Sequence, residues 1–220
     1  MHHNVDLKVL YFGTPVVLIS TRNADGTANL APMSSAWWLG QQCMLGMNTA
    51  SQTTQNLLRE RECVLNLPSS DLVDKVDRLA LLTGSPVRTP HRIEKGYRYE
   101  PDKFGAARLT PLAADLVAAP VVAECPIQLE CELVSGTPFD RDNEITAHTV
   151  RVVRAHVDER LVVPDTQHID PLKWDPLIMK FCEFFGEGIR VRSSRLAVAW
   201  QIPQTAHARR VVAADAHPHR

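Results

Sequence analysis

No stretch of this 220-residue chain approaches the roughly 18 consecutive apolar residues that cross a bilayer as a helix. Charge of one sign is missing as well: 24 basic side chains nearly cancel 25 acidic ones, so no long-range field favours nucleic acid or an anionic membrane. The five cysteines (Cys43, Cys63, Cys125, Cys131 and Cys182) are odd in number and form no C-x-x-C pair. Neither a disulfide framework nor a zinc site is expected of them. The first residues, Met1-His2-His3-Asn4-Val5-Asp6, lack the apolar stretch of a signal peptide, and the expected setting is a reducing cytoplasm. Absent too are a G-x-G-x-x-G turn between strand and helix, a Walker loop, a G-x-S-x-G elbow and an H-E-x-x-H pair. A Rossmann dinucleotide domain is therefore not expected. Of nine histidines, His2, His3, His207, His217 and His219 fall in terminal segments, and no metal site is expected there.

What remains is the composition of a soluble globular protein, 45% hydrophobic and 22% charged. One domain is expected over residues 1–202, with a polar tail over 203–220. Pro15 to Thr21 is a β-branched run closed by Asn23-Ala-Asp-Gly26, a hairpin signature. Asn29 to Trp38, Cys43 to Met47 and Glu62 to Leu67 read as further strands, and four short strands joined by turns favour an antiparallel sheet or barrel. Helices are expected from Ser51 to Arg61 and from Ser69 or Ser70 onward, the second with a core-facing stripe of Leu72, Val73, Val76, Leu79 and Ala80. Prolines and glycines break residues 83–120 into loop, rich in charge and aromatics between Arg88 and Phe104.

In the second half, Glu124 to Val134 alternates, with Cys125, Ile127, Leu129, Cys131 and Leu133 on one face and Glu124, Gln128, Glu130 and Glu132 on the other. Cys125 and Cys131 are read as small buried hydrophobes. Another strand runs from Glu144 to Val157 and carries His148, read as a satisfied core residue. A third helix is expected from Asp175 to Phe185, with Pro176 at its first position and Gly186 past its end, and a closing strand from Leu196 to Ile202.

Two segments offer binding chemistry. In Asn48-Thr-Ala-Ser-Gln-Thr-Thr-Gln-Asn56 a strand end runs into a helix start crowded with hydroxyls and amides, where free N–H groups suit an anion, although Ser51 or Thr53 also serves as a plain cap. In Asn29-Leu-Ala-Pro-Met-Ser-Ser-Ala-Trp-Trp38, small and hydroxyl residues admit a planar ligand, and Trp37 and Trp38 point to opposite faces if the segment is extended.

Together with their surroundings these segments resemble the flavin reductase-like family. The carriers are the strand Val16 to Thr21, Asp25-Gly26, Asn29-Leu-Ala-Pro-Met-Ser34, Thr53-Thr-Gln-Asn56, Cys63-Val-Leu-Asn-Leu67 and Glu124-Cys-Pro-Ile-Gln-Leu-Glu-Cys131, in order, over roughly residues 10 to 160. The resemblance implies a mainly β protein: an FMN-binding split β-barrel (Greek key) with peripheral α-helices, acting as a homodimer. It implies that Asn29, Ala31, Pro32, Met33, Ser34 and Ser35 meet the ring side of FMN, and Asn48, Ser51, Gln52, Thr53 and Asn56 the phosphate side. One departure bears on the phosphate: Ser51 stands where many relatives place Lys or Arg. Backbone N–H groups and hydroxyls then hold it alone, or a cation comes from Arg59, Lys95, Arg98 or Lys103. The Arg88 to Phe104 loop is either a candidate lid, whose Lys95, Arg98 or Lys103 can pair with nucleotide phosphates, or a solvated surface loop that Tyr97, Tyr99 and Phe104 pin to the body.

The implied activity is an NAD(P)H-dependent flavin reductase, with hydride passing from nicotinamide to flavin N5 and a partner monooxygenase as the consumer of reduced flavin. No catalytic acid–base residue is assigned, because flavin accepts hydride directly. The rival functions are an oxidoreductase of an organic substrate with tightly held FMN, and a flavin carrier without turnover.

Overall fold

The computed structural model describes residues 1–192 and 194–199. Its first half holds β1 (Phe12–Pro15), β2 (Val17–Arg22), β3 (Ala28–Met33), β4 (Ala36–Leu39), β5 (Gln42–Asn48), α1 (Gln52–Glu60) and β6 (Glu62–Leu67). Short elements follow: α2 (Val73–Asp77), β7 (Leu82–Thr83), α3 (Pro90–Glu94), β8 (Arg98–Tyr99), α4 (Lys103–Ala107), β9 (Pro111–Leu112) and β10 (Val121–Val122). The long strands β11 (Ile127–Asp140) and β12 (Ile145–Val157) lead to β13 (Ile178–Lys180), β14 (Glu183–Phe185) and α5 (Arg195–Ala199).

Seven strands form one antiparallel sheet in the order β3-β2-β6-β11-β12-β5-β4. Its two end strands do not pair with each other, so the sheet curls without closing, as in a split barrel. Fully buried Val17, Ile19, Leu45, Leu57 and Leu65 fill the interior of the curl, each worth about 1.5–3 kcal/mol of burial. A second cluster, built from Leu18, Leu30, Val76, Leu79 and Phe104, lies under the short helices.

Local chemistry explains the ends of elements. The Asp25-Gly26 turn closes β2 onto β3, with Gly26 at φ +85° and Asp25 accepting from the Thr27 N–H at 3.0 Å. Ser51 caps α1 by accepting from the Thr54 N–H, and Arg61 ends it in the left-handed region with its N–H returned to the Leu57 carbonyl. Ser34 and Ser35 break the single strand expected over Asn29 to Trp38 into β3 and β4. Trp38 then packs on the core while Trp37 is exposed.

Several expectations are corrected. The helix expected from Asp175 to Phe185 is a hairpin, β13 to β14, paired through β13 with β1. Phe181 and Cys182 both take positive φ at its tip, the conformation a two-residue hairpin turn needs. Met179 and Phe184 face the second cluster. The strand expected at Leu196 to Ile202 is helix α5 through Ala199, and residues 200–202 and the tail 203–220 lie outside the described residues. The second helix is a 3-10 turn (Ser70–Leu72) followed by the short α2, although Leu72, Val76 and Leu79 are buried as expected.

Glu130, on the polar face of its strand, is fully buried. The segment 113–120 covers it, and its carboxylate accepts from the N–H groups of Asp115, Leu116 and Val117 and contacts His156 Nε2 at 2.6 Å. His148 is buried, but neither ring nitrogen has a partner among the described residues, so it is not the satisfied core residue expected. Burial lowers its pKa, because desolvation disfavours the charged imidazolium. Cys125 and Cys131 are buried, in line with their apolar faces.

Candidate functional site

The end of β3, the Ser34-Ser35 break and the end of β5 form one wall of a cavity of about 1170 Å³. The segment from Ser85 to Tyr97, the tip of the β11–β12 hairpin and the β13–β14 hairpin form the others. A side pocket of about 150 Å³ opens beside it, where the start of α1 meets Gly84, Arg92 and Lys103. Pro32, Met33, Asn48, Ala80, Arg92 and Tyr97 line both spaces, which makes them one elongated cleft.

Seven of the eleven residues assigned to the cofactor by resemblance line the side pocket: Ala31, Pro32, Met33, Asn48, Ser51, Gln52 and Thr53. Ser34 and Ser35 line the larger space. Asn29 and Asn56 line neither and sit behind the wall. Asn29 donates to Thr21 Oγ1 and Thr53 Oγ1, at 3.0 and 3.1 Å. Asn56 donates to Thr21 Oγ1 and Asn23 Oδ1 and accepts from Gln52 and Arg59. These two amides hold the start of α1 against the β2–β3 hairpin.

The four candidate cations separate. Arg59 is spent on the Arg22 carbonyl, Asn56 and Glu60, while Lys95 and Arg98 are exposed and line neither space. Lys103 is only 4% exposed, lines the side pocket, and has no hydrogen-bond or ion-pair partner among the described residues. Burial, and then the neighbouring Arg92 charge, push its pKa down to about 8. No aspartate or glutamate among the described residues lines the side pocket.

Arg92, which sequence reasoning left among the charges of a loop, stands at the junction of the two spaces and donates to Asn48 Oδ1 at 3.3 Å. Its neighbourhood comes from long-range folding of α3 onto β5, and no local pattern marks it. Tyr11, ahead of β1, is a second residue that sequence reasoning missed.

The side pocket has the chemistry to hold an anion. Arg92 and Lys103 line it beside Ser51, Gln52 and Thr53 at the start of the nine-residue helix α1, and no carboxylate lines it among the described residues. The larger space, walled by Met33, Met47, Phe139, Met179 and Phe184, suits a planar apolar group. An FMN-sized molecule, a planar ring joined by a chain to a phosphate, fits this donor set.

Residues 9–178 match the model of the flavin reductase like domain. The uncharacterized protein YdfE of Bacillus subtilis is 37% identical over 184 residues, covering 84% of this chain and 88% of that protein. Among solved structures, flavoredoxin of Desulfovibrio vulgaris superposes with a TM-score of 0.74 at 21% identity, covering 90% of this chain and all of that one. Nitrilotriacetate monooxygenase component B from Bacillus cereus superposes at 0.67 with 19% identity, over 83% and 88% of the two chains.

Proposed function

The chain belongs to the flavin reductase-like family, and on that footing we propose that it is an NAD(P)H-dependent FMN reductase. The observation that carries the reading is Lys103: a buried cation beside a helix start, with neither a counter-ion nor an acid in its pocket among the described residues. Such a cation is costly to bury alone and calls for an anion. We place the FMN phosphate there, with Lys103 and Arg92 supplying the positive charge that Ser51 does not. The ring then lies in the larger space against Pro32, Met33, Ser34 and Ser35.

Bound flavin supplies a ring that takes hydride at N5 and passes electrons on. The chain's own work is to anchor the phosphate, orient the ring along the β3 end and keep one face open to a second planar substrate. At about 1170 Å³ the larger space exceeds the usual range of roughly 300–1,000 Å³ for small-molecule sites, which supports two ligands together. We assign no general base.

The protein is proposed to act as a homodimer, with exposed Trp37 and Leu39 on edge strand β4 as part of the contact. A cytoplasmic setting is proposed from the buried free thiols, and no helix among the described residues is long and apolar enough to cross a membrane. A partner monooxygenase as consumer of reduced flavin is supported by the likeness to a monooxygenase component. NADH or NADPH oxidation that depends on added FMN tests the reaction. Flavin bound without any nucleotide consumption contradicts it and favours a carrier.

A further inference from the structure

Tyr11 Oη lies 3.4 Å from Ser35 Oγ on the wall of the larger space. A strong O–H···O bond is about 2.7–2.8 Å, so the two hydroxyls are close without being committed to each other. Each keeps donor capacity for a third group, and at this separation both can reach one acceptor atom.

Both are held on backbone fixed from elsewhere. The Tyr11 carbonyl accepts from the Phe181 N–H at 2.8 Å, and the adjacent Phe12 ring meets Phe181 edge-on at 5.1 Å. The Ser35 carbonyl accepts from the Gly46 N–H at 2.8 Å, and a Cβ on Gly46 would stand 3.2 Å from Ser35 Cβ. That is tighter than ordinary contact, so the missing side chain at Gly46 eases the close approach of β5 to Ser35. The N-terminal segment and the β3–β4 break thus deliver one hydroxyl each to the same point.

Charge on the wall makes this pair useful. Among the described residues Arg92 is the single cation lining the larger space, and its hydrogen bond to Asn48 ties it to the side-pocket end. Asp142 and Glu144 are the acids on the wall. Negative charge gathering on a bound ring therefore meets no lining cation at the Tyr11 end among the described residues, and the Tyr11 and Ser35 hydroxyls are stabilisers available there.

We propose that Tyr11 and Ser35 form a paired-hydroxyl site that hydrogen-bonds the edge of the flavin ring more strongly in its reduced, anionic form than in its oxidised form. The pair thereby sets the reduction potential of the bound flavin. This rests on the flavin-binding reading above.

The test compares wild type, Tyr11→Phe and Ser35→Ala by FMN titration and by spectroelectrochemical midpoint potential. Tyr11→Phe keeps the ring and its packing and loses only the hydroxyl. Oxidised FMN is expected to bind it within about threefold of wild type. Reduced FMN is expected to bind about tenfold more weakly relative to oxidised, which for a two-electron couple lowers the potential by about 30 mV. Ser35→Ala is expected to shift the potential in the same direction. Normal FMN binding with an unmoved potential in both variants overturns the proposal alone. Failure of the wild type to bind FMN overturns the flavin reading and the proposal together.

Discussion

A Cβ on Gly84 would stand 2.5 Å from Asn29 Oδ1 and 3.2 Å from Gln52 Cγ. Gly84 therefore lets the segment after β7 close over the start of α1, with the Asn29 amide behind it. Asn29 Oδ1 is buried and has no partner among the described residues, while its amide nitrogen holds Thr21 and Thr53.

Gly84→Ala forces that amide to turn or the segment to lift. The expected cost is about 1–3 kcal/mol, seen as a fall in Tm of roughly 2–10 °C. FMN affinity should fall with it, because the same glycine lines the side pocket. Unchanged Tm in the variant contradicts the close packing.

Lys103 gives opposite pH trends with and without ligand. Its folded pKa of about 8 lies below the ordinary 10.5, so between these values the unfolded chain binds more protons than the folded one. Ligand-free stability should therefore rise as pH increases across that window, with the full burial cost present below about pH 8. An FMN phosphate favours the charged amine, so FMN affinity should weaken above about pH 8. Lys103→Met should flatten both trends and weaken FMN about 10- to 100-fold without affecting riboflavin. Thermal melts and fluorescence titrations from pH 7 to pH 10 measure both.

Glu130 is a second buried charge, with partners. Burial works to raise its pKa, but the hydrogen bonds from His156 and from the N–H groups of residues 115, 116 and 117 outweigh it and hold the carboxyl below its ordinary 4.5. A lowered folded pKa gives stability that is present above the unfolded value and lost as pH falls through the folded one, so this contribution fades below about pH 4.5. Glu130→Gln should cost about 2–4 kcal/mol at neutral pH and show a shallower acid limb in denaturant midpoints.

Four cysteines are buried, and Cys182 alone is exposed. Burial, then Cys63, pushes Cys43 up to about 12, and burial also raises Cys125; hydrogen bonding to Cys63 and burial raise Cys131. A thiol reagent should modify one cysteine in the native protein and five after unfolding. Bound FMN should slow that single reaction, because Cys182 lies on the wall of the larger space. Mass spectrometry of the labelled peptide checks the site.

What the sequence disclosed follows its local signals. Strands β2 and β6 and helix α1 were legible because β-branched runs, the Asp25-Gly26 turn and the Ser51 cap act on neighbouring residues. The hairpin at Phe181-Cys182 was not, because two non-glycine residues in the left-handed region carry no local mark, while Pro176 and Gly186 imitate helix ends. Glu130 alternates like a surface residue, and only the distant 113–120 segment makes it a buried one. At the site, the β3 and α1 motifs were legible as segments. Lys103 was one of four equivalent cations until folding buried it, and Asn56 proved to be bracing behind the wall.

The most direct measurement is an anaerobic absorbance spectrum of the purified protein with FMN, followed by addition of NADH or NADPH. The visible flavin band should shift on binding and then bleach with one of the two nucleotides. A spectrum indistinguishable from free FMN, with no bleaching by either nucleotide, would contradict a flavin site in this cleft.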